Sequence, residues 1–113
     1  MSAFSTSSSS DGVTVVSFPE QVLGGPEAVE LSDIVRKAVA DGQSLIVFDL
    51  NAVEVMNSSG LGMLVSALTS VRGKDAQLRL AAVPEKVAGL LSMTQLNRVF
   101  DIRGTVNEAT SAQ

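Results

Sequence analysis

The 113-residue chain contains no cysteine, histidine, tyrosine or tryptophan. Without cysteine, neither a disulfide framework nor a thiolate metal site can form. Without histidine, the usual general base and the commonest metal ligand are both missing. Positive charge is scarce as well: 8 Lys and Arg stand against 12 Asp and Glu, for a net charge of −4. The basic residues are scattered, Arg36 and Lys37 being the closest pair. A protein that holds nucleic acid by neutralising phosphates carries the opposite balance, so nucleic-acid binding is set aside. No run approaches the ~20 apolar residues of a membrane span. The opening "MSAFSTSSSSDG" has neither the positive nor the apolar region of a signal peptide. The expectation is a cytoplasmic protein with no membrane insertion.

What is present is the composition of an ordinary globular domain, 45% hydrophobic and 18% charged. The length suits one core and is too short for two. Residues 1–11 are mostly serine with little to bury, and read as a flexible, dispensable tail. "GVTVVSFP" is β-branched and ends at a proline, predicting a strand over roughly residues 13–18, with a short extended piece around Gln21–Leu23. "GGPE" then places Pro26 at a first helical position with an acid beside it. Apolar residues at 28, 31, 34, 35, 38 and 39 form one helical stripe, which Gly42 closes. "SLIVFDL" is nearly continuous in apolar character, as in a strand covered on both faces.

A second helix is predicted over residues 58–72, with Leu61, Leu64, Val65 and Leu68 as its core stripe. Met63, Ala67 and Val71 widen that stripe, so the helix is either deeply buried or lends apolar surface to a partner. "QLRLAAV" reads as a strand, Pro84 opens another helix, and "RVFDI" supplies a last strand over residues 98–102. The end, "TVNEATSAQ", adds at most a partial helix before its pattern is lost, and residues 108–113 read as a C-terminal tail. Strands alternating with helices at this spacing predict an α/β fold: a mixed, mostly parallel central sheet of four or five strands with helices packed against it.

The stretch "VMNSSGLGML" sits where a strand hands over to a helix. A nucleophile elbow would need G-x-S-x-G and a histidine to take the proton, and both are missing. A Ser-Lys pair would need S-x-x-K, which no lysine satisfies. Gly60-x-Gly62 lacks the third glycine of a dinucleotide loop, and there is no G-x-x-x-x-G-K-[ST]. Asn57 or Ser58 as a helix cap accounts for one polar residue. It does not account for two hydroxyls followed by Gly-Leu-Gly.

"LIVFDLNAVEVMNSSGLGMLVSAL" resembles the signature of the STAS domain, especially the bacterial anti-sigma factor antagonists. Their pattern is an apolar strand, a short loop, then Asp-Ser-Ser/Thr-Gly-Leu-Gly opening a helix. The likeness continues through "LRLAAVPEKVAGLLSMTQLNRVFDI" and covers about residues 12–106, giving one domain over 12–107. The resemblance implies a binding protein without catalysis or cofactor of its own. Such a protein binds a kinase-type anti-sigma factor, is switched off when that kinase phosphorylates a serine, and is reset by a PP2C-type phosphatase. The matching acceptor is Ser58. The 58–72 helix is more apolar than one buried stripe needs, and the hydroxyl pair sits at its start. The expected docking surface is therefore Leu23, Gly24, Gly25, Asn57, Ser58, Ser59, Gly60 and Leu61, with the adjoining face of that helix.

Two positions depart from the pattern. Asn57 replaces the Asp, and Val22-Leu23-Gly24-Gly25 stands where relatives have G-x-L-D. Asparagine caps as well as aspartate. A partner that uses the carboxylate loses it here; equally, Asn relieves repulsion between a carboxylate and a phosphate. The alternative is a non-phosphorylated STAS binding module of another assembly, such as a sensory complex or lipid-transport machinery.

Overall fold

A computed structural model describes residues 3–111. Five strands form the main sheet: β1 (Ser5–Ser8), β2 (Val13–Ser17), β4 (Leu45–Asp49), β6 (Gln77–Ala81) and β7 (Asp101–Arg103). They lie in the order β1-β2-β4-β6-β7. β1 runs antiparallel to β2, and every other neighbour is parallel. Between them come β3 (Gln21–Val22), β5 (Val55–Met56), α1 (Pro26–Ala40), α2 (Ser58–Val71), α3 (Glu85–Met93) and α4 (Val106–Thr110). This is the expected mixed, mostly parallel α/β sheet with helices against it.

Alternation along the strands sorts the core into two unequal parts. Val16, Ile46, Phe48, Leu78 and Leu80 point to the face shared with Leu31, Val35, Leu64, Val87 and Leu91 of the three long helices. Leu45, Val47 and Ala81 point the other way, onto Ala109 of α4. Both faces of β4 are therefore covered, which is why "LIVF" is apolar without interruption. Buried Arg79 pins α4 down, donating from Nη1 to the carbonyls of Ala109 at 3.0 Å and Ser111 at 2.8 Å. Its Nε meets Asp101 at 3.2 Å.

Three expectations need correction. The serine-rich start is no loose tail over residues 3–11. Ser5–Ser8 pairs with β2, and Phe4 is buried with its ring 5.0 Å from that of Phe18, edge to face. One aromatic anchor and a full ladder outweigh a composition with little else to bury. At the other end, Glu108–Thr110 completes α4 instead of trailing away, and Thr105 caps that helix by accepting from the Glu108 N–H at 3.1 Å. The last two residues of the expected tail lie outside the described residues. The final strand begins later than expected, because Leu96–Arg98 winds into a short 3-10 turn after Gln95 at φ 61°.

Candidate functional site

The serine pair sits where the loop after β4 turns into α2. Asn57 is the N-cap of that helix, its Oδ1 accepting from the Gly60 N–H at 2.8 Å. Asn57 Nδ2 reaches in the opposite direction and donates to the Leu23 carbonyl at 3.3 Å. Ser58 and Ser59, the first two helical residues, are exposed. Neither hydroxyl has a hydrogen-bond partner among the described residues.

Two close backbone approaches bring the Leu23–Gly25 turn to this spot from 34 residues upstream. β3 pairs with β5 in parallel, Val22 opposite Met56. Gly60 then lies so close to β3 that an added Cβ would stand 2.0 Å from the Val22 carbonyl oxygen. At Gly24, with φ +93°, a Cβ would stand 2.8 Å from the Ser59 Cβ. Only glycine allows either contact, so the two glycines fix where the turn and the helix start meet.

The two expected halves of the surface are therefore adjacent, with Leu23, Gly25, Asn57, Ser58 and Ser59 at the exterior. Gly60 and Leu61 are not. Both are buried, Leu61 at 6% exposure within the core. Val65, expected in the core stripe, faces outward. The other wide-stripe residues, Met63, Ala67 and Val71, are buried, because α2 packs against α1 as well as the sheet. Sequence reasoning missed the groove of about 570 Å³ that runs between α1 and α2 from Ser59, past Val29, Ser32 and Gly62 to Ser66. Val29, an apolar helix residue just off the core stripe, is the trace of it that the sequence carries, and it is 65% exposed.

The groove between α1 and α2 carries a cation on its wall, Arg36. No Lys or Arg occurs before Arg36 or between Lys37 and Arg72. Along the chain, the segments flanking the turn and the serine pair hold Glu20, Glu27 and Glu54. The first turns of α1, α3 and α4 each hold a glutamate, whereas that of α2 holds no acid. Among the described residues no group of three or more Asp or Glu could hold a metal ion. Within the same residues, no helix is long and apolar enough to cross a membrane.

The chain is a mixed, mostly parallel α/β layer protein that displays an exposed serine pair at a helix start. The STAS domain model matches residues 7–109, and the chain belongs to the STAS domain family. It is 33% identical over 86 residues to a Thermotoga maritima protein assigned as an anti-sigma factor antagonist, covering 72% of this chain and 76% of that protein. The crystal structure of an antagonist so assigned from the same organism superposes with a TM-score of 0.79 at 29% identity, over 94% of this chain and 90% of the other. The anti-sigma-B factor antagonist of Staphylococcus aureus is 29% identical over 84 residues, 74% of each chain. The Bacillus cell fate determinant SpoIIAA in its phosphorylated form shares the fold, with a TM-score of 0.72 at 15% identity, over 95% of this chain and 96% of that one.

Proposed function

We propose that this chain is an anti-sigma factor antagonist. It acts by binding a kinase-type anti-sigma factor and is switched off by phosphorylation of Ser58. The observation that carries this reading is the Ser58 hydroxyl, exposed and unpartnered at the first position of the one described α-helix whose first turn has no acid. In the transfer, Ser58 Oγ forms a bond to the γ-phosphorus of ATP, the bond to ADP breaks, and the hydroxyl proton passes to the kinase. The product phosphate sits at a helix N-terminus, where free N–H groups and the dipole favour an anion. It adds about −1.5 to −2 charges without disturbing the core. The names of the Thermotoga and Staphylococcus relatives support the antagonist role, and SpoIIAA is a protein of this fold that exists phosphorylated. A PP2C-type phosphatase completes the cycle.

Binding runs over Leu23–Gly25, Asn57–Ser59 and the groove beside α2. A phosphate inside that interface is an unpaired charge, so Ser58→Asp weakens binding by about tenfold or more. Ser58→Ala binds nearly as well as the native chain and abolishes labelling. The test is titration calorimetry of both variants against the co-purified anti-sigma factor, with the phosphate mapped after incubation with ATP. Equal affinity for Ser58→Asp and the native chain, or label persisting in Ser58→Ala, refutes the phosphoswitch. A partner that binds but never labels the chain favours the non-phosphorylated module, the reading to which Asn57 in place of the family's aspartate also points.

A further inference from the structure

Building on the antagonist reading, we propose that Asn57 is a positioning residue whose neutral carboxamide latches the Leu23–Gly25 turn to the start of α2. It thereby holds the two halves of the docking surface in one arrangement. The amide has one orientation available. Its oxygen faces the Gly60 N–H at 2.8 Å and its nitrogen faces the Leu23 carbonyl at 3.3 Å. Rotating it by half a turn would set donor against donor and acceptor against acceptor.

Backbone contacts hold this turn in part. Gly25 is the N-cap of α1, its carbonyl accepting from the Ala28 N–H at 3.0 Å, and Gly24 packs on Ser59. Asn57 adds the side-chain tether. Gly24 and Gly25 are consecutive residues at positive φ, +93° and +74°, and a Gly-Gly pair left to itself samples many conformations. The Asn57 bond is the side-chain hydrogen bond that reaches this turn among the described residues, and nothing lies within 4 Å of a Cβ built on Gly25. The β3–β5 ladder ends one residue earlier, at Val22. An ionised aspartate at position 57 keeps the capping acceptor and loses the donor, placing a carboxylate oxygen against the Leu23 carbonyl. Cap and latch are therefore separable by one substitution.

The experiment uses the free full-length chain, so its failure is distinct from failure of the antagonist reading. Backbone ¹⁵N relaxation is compared for the native chain, Asn57→Asp and Asn57→Ser, the second retaining a capping oxygen on a side chain too short to span to Leu23. Native Gly24 and Gly25 order parameters near ~0.85 should fall below about 0.6 in both variants, while the Gly60 amide stays protected. In calorimetry against the co-purified anti-sigma factor, Asn57→Asp should bind about five- to tenfold more weakly with its thermal midpoint little changed, because the turn must be ordered on binding. A rigid turn in either variant, or loosening only where the Gly60 N–H is also released, overturns the latch. A loosened turn with unchanged affinity overturns the positioning role.

Discussion

Replacing Phe4 by alanine tests whether the serine-rich start is part of the domain. The ring is 5% exposed and begins an aromatic chain, edge-to-face on Phe18 and then 4.9 Å onward to Phe48. Truncation to a methyl group returns roughly 110 Å² of apolar surface, worth about 2.8 kcal/mol at ~25 cal/mol/Å². The lost edge-to-face contact adds about 0.5–1.5 kcal/mol. A loss of about 3–4 kcal/mol follows, within the usual range for Phe→Ala in a core. It is capped by the free energy of docking β1, since an edge strand can detach and leave the rest folded. For a domain of this size that loss lowers the thermal midpoint by about 10–15 °C. Phe4→Leu, which keeps most of the apolar area, should lose only about 1 kcal/mol. Circular dichroism melts and urea midpoints read both, with the exposed Ser7→Ala as the neutral control. A shift under about 2 °C for Phe4→Ala would refute the reasoning and return residues 3–11 to the status of a free tail.

The paired glycines of α2 should respond oppositely. Gly60→Ala must push the helix off the Val22 carbonyl and should cost at least about 2–3 kcal/mol, whereas Gly62→Ala enters open space and should stabilise by up to about 1 kcal/mol, both read from urea unfolding. Arg79→Ala removes two charged hydrogen bonds to the α4 carbonyls and should cost about 2–3 kcal/mol, with the α4 amides losing exchange protection. The hydrogen bond from Arg103 holds the Asp101 carboxyl below its ordinary 3.8, helped by the charges of Arg103 and Arg79 and opposed by partial burial. A lowered carboxyl contributes stability above the unfolded value that is lost as pH falls through the folded one. Asp101→Asn should therefore be less stable than the native chain near neutrality, and the two stability curves should converge below pH ~4, as acid titrations of unfolding would record.

The long elements were legible because their apolar spacing is strong: α1 begins at Pro26 and stops before Gly42 as the residues dictate. The serine pair was legible through its motif, and its neighbourhood with Leu23–Gly25 through the resemblance. Contacts made by backbone were not. Nothing in Val22 announces that its carbonyl abuts Gly60, and a two-residue ladder such as β3 with β5 leaves no periodic trace. The direction of Leu61 was lost for a related reason, since one residue of helical phase separates the display surface from the core. β1 was invisible because its four residues carry no apolar side chain and its anchor lies just before them.

That last feature bears on solubility. β2 reads Val-Thr-Val-Val and would be a sheet edge if β1 were absent, an exposed β-branched template for another chain to extend. With β1 in place, the outermost strand is Ser-Thr-Ser-Ser, short, fully exposed and weak in β-propensity. A stray strand that paired there would gain backbone bonds and almost no apolar burial. At that edge the run of serines therefore works as a hydrophilic selvedge beside the valine-rich β2.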